Sequence, residues 1–168
     1  MESYVNSMSS LRRMEDTQPE GKWISLQPFL TSLYESAKMV CMQNEKELFL
    51  KNDKTVLQLC LDGTFIAQVC NNLISNAVRY ARTRVTLAFE PYDRGLLLSV
   101  SDDGKGFDKN SLYRAADPYF TEEGDHSDHF GLGLYICRLL CEHHNGYLKI
   151  ENTPDGAKVS AYFKSLDV

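Results

Sequence analysis

The sequence predicts an α+β fold, in which three helices form one layer against a mixed, mostly antiparallel sheet. Apolar residues recur at helical spacing in three segments, at about residues 26–43, 64–81 and 131–144. Short β-rich runs separate these segments, and turn signals join two pairs of runs directly as hairpins. The length of 168 residues fits one such domain with a short appendage.

The first 21 residues indicate a helix end that runs into a linker. Leu11 and Met14 stand at helical spacing, but few other residues in this stretch are apolar. Pro19 and Gly21 then interrupt the pattern. We therefore expect residues 1–21 to precede the globular domain, and residues 22–168 to form it.

The remaining elements follow from periodicity and turn residues. The first helix places apolar residues on one side over residues 26–43, and the second starts after Asp62, a residue typical of a helix N-cap. The third is expected from about Gly131 to His144. Two turns are expected, Pro91-Tyr92-Asp93-Arg94 and Thr153-Pro154-Asp155-Gly156. The predicted strands are Glu47–Leu50, Val56–Leu61, Arg84–Glu90, Gly95–Ser101, Tyr147–Glu151 and Lys158–Phe163.

Residues 103–130 are the anomaly in this pattern. They predict a long polar loop, interrupted by the aromatic knot Pro118-Tyr119-Phe120. Loops of this length in a compact domain are usually functional lids or disordered segments. The segment is therefore expected to be either a functional lid or a disordered stretch.

Composition and charge exclude some classes of protein. The net charge of −5 disfavours a general nucleic-acid binder, which usually presents a basic face. Five cysteines without a C-x-x-C pair suit buried apolar positions in a reducing cytoplasm. No apolar run approaches the roughly 20 residues of a membrane span, and no signal peptide opens the chain. A membrane anchor of the parent protein is expected outside this sequence.

Two asparagines on the second predicted helix form the first candidate site. Asn72 and Asn76 lie about 40° apart on a helical wheel, and Arg79 falls close by. Carboxamide oxygens are neutral ligands that suit Mg²⁺, and a guanidinium can pair with a phosphate oxygen. A solvated polar face is the alternative, although asparagine is a poor helix former.

Two glycine-rich segments form the second candidate site. Asp102-Asp103-Gly104-Lys105-Gly106 ends a predicted strand, where the glycines let the backbone approach a flat ligand and Asp102 can accept a hydrogen bond from an exocyclic amine. An ordinary Asp-Gly turn is the alternative. Gly131-Leu132-Gly133-Leu134 opens the third helix, where main-chain amides favour an anion, although these glycines could also serve helix packing.

In their order and spacing, these motifs resemble the asparagine box and the two glycine boxes of the GHKL nucleotide-binding superfamily. Pro118-Tyr119-Phe120-Thr121 resembles the phenylalanine box of sensor histidine kinases, and the likeness covers about residues 22–165. The chain is thereby identified as the catalytic, ATP-binding domain of a sensor histidine kinase. The resemblance implies a Bergerat-type two-layer α/β sandwich with a long ATP lid. The chain departs from the family at His129 and Asn145, where glycines are common.

The resemblance also implies roles for individual residues. Asp102 would bind the adenine amino group, and Tyr80 would lie against the base. Asn72 and Asn76 would hold Mg²⁺ on the phosphates of ATP, with Arg79 contacting phosphate. The other expected nucleotide-binding residues are Gly104, Gly106, Phe120, Gly131, Leu132, Gly133 and Leu134.

The position of Asn72 distinguishes phosphotransfer from hydrolysis within this superfamily. Members that split water carry a glutamate there as a general base, whereas a carboxamide cannot accept a proton at neutral pH. The implied reaction is transfer of the γ-phosphate to a histidine on a separate dimerisation and phosphoacceptor domain. None of the four histidines here resembles that acceptor, so no catalytic residue of this kind is expected in the chain.

The resemblance further implies partners and leaves alternatives open. Residues 1–21 would be the remnant of a dimerisation helix with its linker, and a response regulator would be reached through the absent domain. The chain itself is expected to be monomeric. The alternatives are an ATPase of the same superfamily, an anti-sigma-type serine kinase module, and an interaction domain with a decayed nucleotide site.

Overall fold

The computed structural model describes residues 12–52, 57–120 and 132–167. Residues 12–16 are helical. Within the described residues, the longer helices are α1 (Leu26–Gln43), α2 (Gly63–Tyr80), α3 (Lys109–Arg114) and α4 (Gly133–His143). The strands are β1 (Lys22–Ser25), β2 (Glu47–Asn52), β3 (Gln58–Leu61), β4 (Arg84–Tyr92), β5 (Gly95–Asp102), β6 (Tyr147–Asn152) and β7 (Ala157–Lys164).

Five strands form a mixed sheet in the order β2-β4-β5-β7-β6. Only the β2–β4 pair among them is parallel, while β4–β5, β5–β7 and β6–β7 are antiparallel. The last strand of the sequence therefore lies inside the sheet, between β5 and β6. β1 and β3 form a separate antiparallel pair.

Helices α1, α2 and α4 cover one face of the sheet, with α2 in the middle, where it contacts both neighbouring helices. Alternate residues of the central strands point toward this helical layer, as the period of two requires. Thus Leu96, Leu98 and Val100 of β5 are buried, whereas Leu97 and Ser99 between them are partly exposed. The two-layer α+β fold predicted from the sequence is confirmed.

The amino end of α2 is fixed by hydrogen bonds from two directions. The Asp62 carboxylate accepts from the main-chain amides of Thr64 and Phe65, at 3.0 and 3.1 Å, and from the amide of Glu20 at 2.8 Å. The amide of Asp62 donates to Nε2 of His144, which is 0% exposed. Burial lowers the pKa of His144. The helix that carries the asparagines is therefore anchored before its first turn.

The tight turns show why some predicted boundaries were wrong. Pro91 and Tyr92 belong to β4, so the hairpin turn consists of Asp93 and Arg94 alone, both with positive φ. A two-residue turn with this backbone matches the twist of an antiparallel pair. Asn145 also has a positive φ, of 61°, just after α4. Asparagine tolerates this conformation, so it can end the helix where glycine would otherwise be favoured.

Two elements were missed from the sequence. The residues predicted as one polar loop include the short helix α3, and β1 precedes the first predicted helix. Both are short and largely exposed, so neither gives a clear apolar period. The third helix was predicted from Gly131; the described part of it begins at Gly133, and Gly131 itself lies outside the described residues.

The helical residues 12–16 contact the domain next to α2 and α4. Gln68 Nε2 of α2 lies 3.7 Å from Met14 Sδ, and the Tyr135 hydroxyl of α4 lies 3.2 Å from Glu15 Oε1. β1 begins at Lys22, but a domain boundary at residue 22 stays a prediction. No helix among the described residues is long and apolar enough to cross a membrane.

Replacing Asp62 with alanine is expected to lower the free energy of unfolding by about 1–2 kcal/mol, because the amides of the first turn of α2 lose their acceptor. Urea unfolding followed by circular dichroism measures this difference. Asp62→Asn is the control, since it keeps an oxygen for these amides and should lose less. Equal stability of the alanine variant and the wild type would show that the cap does not stabilise the domain.

Candidate functional site

The asparagine face lies near the carboxyl end of α2. Arg79 Nη2 donates to Asn76 Oδ1 at 3.4 Å, and the guanidinium carbon of Arg79 lies 4.9 Å from the centre of the Tyr80 ring. Asn76 and Tyr80 are partly buried, and Arg79 is exposed. A carboxamide, a cation and an aromatic ring thus share one helix face, as the spacing of these residues predicts.

Asn72 lies one turn earlier, and its side chain is placed differently from that of Asn76. Its carboxamide lies beside the buried Cys137 thiol of α4, which donates to the carbonyl oxygen of Val69 at 3.8 Å. Burial raises the pKa of Cys137 to about 12, although the Asn72 carboxamide acts in the opposite direction. The structure therefore places Asn72 at the contact between α2 and α4.

The segment after β5 brings Asp102 to the same end of the domain. The amide of Gly104 donates to Asp102 Oδ1 at 2.8 Å. Burial raises the pKa of Asp102, the main-chain hydrogen bonds from Gly104 and Ala157 oppose this rise, and the nearby charge of Asp103 adds to it. A carboxylate has about four acceptor positions, so two amides leave it able to accept from a ligand.

The glycines of this segment are required by their surroundings. A Cβ at Gly104 would lie 2.2 Å from the carbonyl oxygen of Tyr80, so helix α2 and the loop can meet only where that residue has no side chain. Gly106 has a φ of +78°, a conformation that L side chains rarely adopt. The close contact between Tyr80 and Gly104 joins the two candidate segments.

One cavity contains residues from both segments. Its walls are formed by Asn76, Tyr80, Asp102, Gly106, Phe107 and Ala157. An acceptor for an amine, an aromatic ring and a carboxamide therefore face the same space. These are the groups that would recognise a flat, hydrogen-bonding ligand.

Among the residues that the structure describes, the other predicted ones do not line this cavity. Leu132 is buried, Leu134 packs against the core, and a Cβ at Gly133 would meet no described atom within 4 Å. The Phe120 ring lies 5.1 Å from the guanidinium carbon of Arg114. Gly131 lies outside the described residues, as do Thr121, His126 and His129. Their roles stay predictions.

Sequence reasoning missed three residues that shape the cavity. Phe107 and Ala157 line it, and a Cβ at Gly156 would lie 2.2 Å from the carbonyl oxygen of Asp102. Phe107 directly follows the glycine pair, which was a usable signal. Gly156 ends a turn and Ala157 follows it, about 50 residues after the glycine pair. Only the β5–β7 pairing brings these two residues next to Asp102.

Two oppositely charged side chains, those of Asp103 and Lys46, hold the loop between α2 and β4. Neither contact was predicted from the sequence. The Asp103 carboxylate accepts from the main-chain amides of Arg82, Thr83 and Arg84, at 2.8 to 3.2 Å, and from the Thr83 hydroxyl at 2.7 Å. Lys46 Nζ donates to the carbonyl oxygens of Ala81 and Arg82, at 2.7 and 2.9 Å. Asp103 directly follows Asp102, so these bonds tie the end of α2 to the cavity.

Comparison with known proteins supports a nucleotide site. The family model for the histidine kinase-, DNA gyrase B-, and HSP90-like ATPase matches residues 61–167. The chain is similar to the sensor protein kinase PilS of Pseudomonas aeruginosa, with 31% identity over 122 residues that cover 68% of this chain and 22% of PilS. The chain spans less than a third of the length of the curated sensor kinases it matches.

Solved structures share the fold. The catalytic domain of the histidine kinase ThkA superposes with a TM-score of 0.73 at 21% identity, covering 87% of this chain and 97% of ThkA's. Full-length ShkA in complex with AMPPNP superposes with a TM-score of 0.80 at 19% identity, covering 97% of this chain and 36% of ShkA's. At these identities the likeness shows the fold alone.

Replacing Asp103 with alanine is expected to lower the free energy of unfolding by about 1–2 kcal/mol at neutral pH, since hydrogen bonds to a charged group are lost in a partly exposed setting. Burial alone would raise the pKa of Asp103, but the hydrogen bonds from Thr83, Arg84 and Arg82 outweigh burial and lower it below its ordinary 3.8. The stabilisation is therefore fully present above that pH and is lost as the pH falls further.

Urea unfolding of both proteins between about pH 5 and about pH 2 measures this dependence. The difference in stability between wild type and Asp103→Ala should shrink toward the acidic end. A difference that stays constant over this range would contradict the assigned role of the carboxylate.

Proposed function

The chain belongs to the family of histidine kinase-, DNA gyrase B-, and HSP90-like ATPases, and from this we propose that it binds Mg-ATP and transfers the γ-phosphate to a histidine on another domain. The observation that carries the proposal is the shared cavity of Asp102, Tyr80 and Asn76. These three side chains would supply an acceptor and an aromatic surface for the base, and an oxygen ligand for the metal ion on the phosphates.

Asp102 is proposed to select adenine. Its carboxylate is fixed by the amides of Gly104 and Ala157 and keeps further acceptor positions for the exocyclic amine of the base. The Tyr80 ring and the Phe107 side chain would lie against the base from within the cavity. A ligand with a carbonyl in place of the amine would bring two acceptors together, so the same site would disfavour guanine.

Asn76 is proposed to bind the magnesium ion that accompanies ATP, together with Asn72. The donor set fits, because Mg²⁺ is usually held by one or two protein oxygens together with substrate phosphates and water. No group of three or more His, Cys, Asp or Glu side chains able to hold a metal occurs among the described residues. When bound, the ion would neutralise phosphate charge, and Arg79 beside Asn76 would add a second positive charge.

Transfer to a histidine is proposed rather than hydrolysis. Asp102 is the sole carboxylate among the described residues that line the cavity, and its proposed partner is the base rather than a water molecule. Asn72, where water-splitting relatives carry a glutamate, offers no proton acceptor at neutral pH. An acceptor imidazole from another domain would itself be the nucleophile, forming the new P–N bond as ADP leaves.

The histidines of the described residues do not suit the role of phosphoacceptor. His144 is 0% exposed, and its Nε2 accepts the amide hydrogen of Asp62. His143 lies beside it in the last turn of α4. We therefore propose that the acceptor lies on a dimerisation domain outside this sequence and that a response regulator receives the phosphate from it. From the similarity to sensor kinases, we also propose that the parent protein is anchored in the cell membrane.

Asp102→Ala is expected to weaken the binding of an ATP analogue with Mg²⁺ by about 1.5–3 kcal/mol, because a charge-assisted hydrogen bond to the base is lost. Isothermal titration calorimetry measures the change. Glu90→Ala, which removes an exposed carboxylate near the far end of β4, is the control and should bind as the wild type does. Unchanged affinity in Asp102→Ala would refute the adenine assignment.

Incubation with radiolabelled Mg-ATP tests the direction of transfer. The chain alone should remain unlabelled, because no acceptor histidine is expected in it. Adding the separately produced dimerisation domain of the parent protein should give acid-labile phosphate on that domain, and Asn76→Ala should reduce the rate at least about tenfold, as loss of a metal ligand does. Label on a histidine of this chain, or multiple-turnover release of inorganic phosphate, would contradict the proposal.

A further inference from the structure

The last residue of β6 forms a pair of hydrogen bonds with the wall of the cavity. Asn152 Nδ2 donates to the carbonyl oxygen of Phe107 at 2.7 Å, and Asn152 Oδ1 accepts from the amide of Phe107 at 2.8 Å. Both main-chain groups of one residue are thus paired by one carboxamide. The side chain provides Phe107 with the two bonds that a neighbouring strand would otherwise provide.

The same carboxamide contacts the residue before Phe107. A Cβ at Gly106 would lie 2.7 Å from Asn152 Oδ1, so the glycine packs directly on the asparagine. Gly106 has the positive φ of 78° that turns the chain toward Phe107. Asn152 therefore contacts the two consecutive residues whose positions shape this side of the cavity.

Phe107 and Gly106 line the cavity opposite residues of α2. The other walls include Tyr80 and Asp102, both fixed by regular elements or by main-chain amides. Residues 105–108, by contrast, belong to no helix or strand. The Phe107 side chain packs against the core, and the Asn152 carboxamide pairs both main-chain groups of Phe107.

From this geometry we infer that Asn152 is a positioning residue of the nucleotide site, acting through the main chain of Phe107. The inference rests on the proposed binding of ATP in this cavity. Asn152 does not line the cavity, so its effect on affinity is indirect. Without it, Phe107 and Gly106 would sample positions that widen the pocket, and ordering them again would oppose nucleotide binding.

If Asn152 served only to stabilise the fold, its removal would lower the stability of the unliganded domain. Asn152 is exposed, and both of its hydrogen bonds with Phe107 are exposed. Water can replace the carboxamide at exposed main-chain groups, so removing it should change the stability of the unliganded domain little. The affinity for nucleotide is the property expected to change.

Asn152→Ala and a matched control separate these roles. Asn44→Ala also removes an exposed carboxamide, which donates to the carbonyl oxygen of Val40 at 2.8 Å after the end of α1. The unliganded Asn152→Ala variant should unfold within about 3 °C of the Asn44→Ala control. Its dissociation constant for the ATP analogue AMPPNP with Mg²⁺, measured by calorimetry, should rise about five- to twentyfold, while the control binds as the wild type does.

Asn152→Asp tests the mechanism more closely. Aspartate keeps an acceptor for the amide of Phe107 but places an oxygen against its carbonyl, so it should weaken binding at least as much as alanine does. Hydrogen exchange should show the amide of Phe107 less protected in Asn152→Ala than in the wild type, because only alanine removes its acceptor. Since Asn152 acts on the base end of the site, AMPPNP and ADP should lose affinity by the same factor.

These experiments distinguish failure of the inference about Asn152 from failure of the proposed function. If the wild type binds no adenine nucleotide, the proposed function is wrong. If the wild type binds and Asn152→Ala binds equally well, the positioning role is overturned. A fall in unfolding temperature beyond the control, with affinity unchanged once the folded fraction is accounted for, would overturn it as well.

Discussion

The contact between the carboxyl end of α2 and the loop after β5 is the constraint on which the candidate site depends. Gly104 meets the carbonyl oxygen of Tyr80, and Gly156 meets the carbonyl oxygen of Asp102, each at a distance that leaves no room for a side chain. These two close approaches bring a helix, a strand end and a turn together at one point. Asn76 and Asp102, 26 residues apart in sequence, can share a cavity because of them.

Polar anchors at both ends of α2 support this contact. Asp62 and His144 fix the amino end, while Lys46 and Asp103 fix the loop after the carboxyl end. The central helix is therefore constrained along its axis, in addition to its apolar packing against the sheet. None of these four residues lines the cavity, yet each limits where the side chains that do line it can lie.

The fold class could be predicted because its signals are local, and the family because four short motifs stand in a recognisable order and spacing. The helical spacing over residues 26–43 and 64–81 can be recognised from each segment alone. The same holds for the β-rich runs on either side of Asp93. The residues that were missed depend on pairing distant segments. Ala157 reaches Asp102 through the β5–β7 register, and Asn152 reaches Phe107 across 45 residues, so neither carries a signal in its own neighbourhood. The parallel pairing of β2 with β4 could not be predicted from the sequence either, because no direct turn joins these strands.

The order of the strands in the sheet also determines when the cavity is complete during synthesis of the chain. β7 follows the other strands of this sheet in the described sequence, yet it occupies an interior position between β5 and β6, and it carries Ala157 of the cavity wall. A ribosome-bound chain that ends before this strand has β5 with an open edge and a cavity with a missing side. Binding of the proposed nucleotide would therefore stabilise the emerging domain only once β7 has left the exit tunnel.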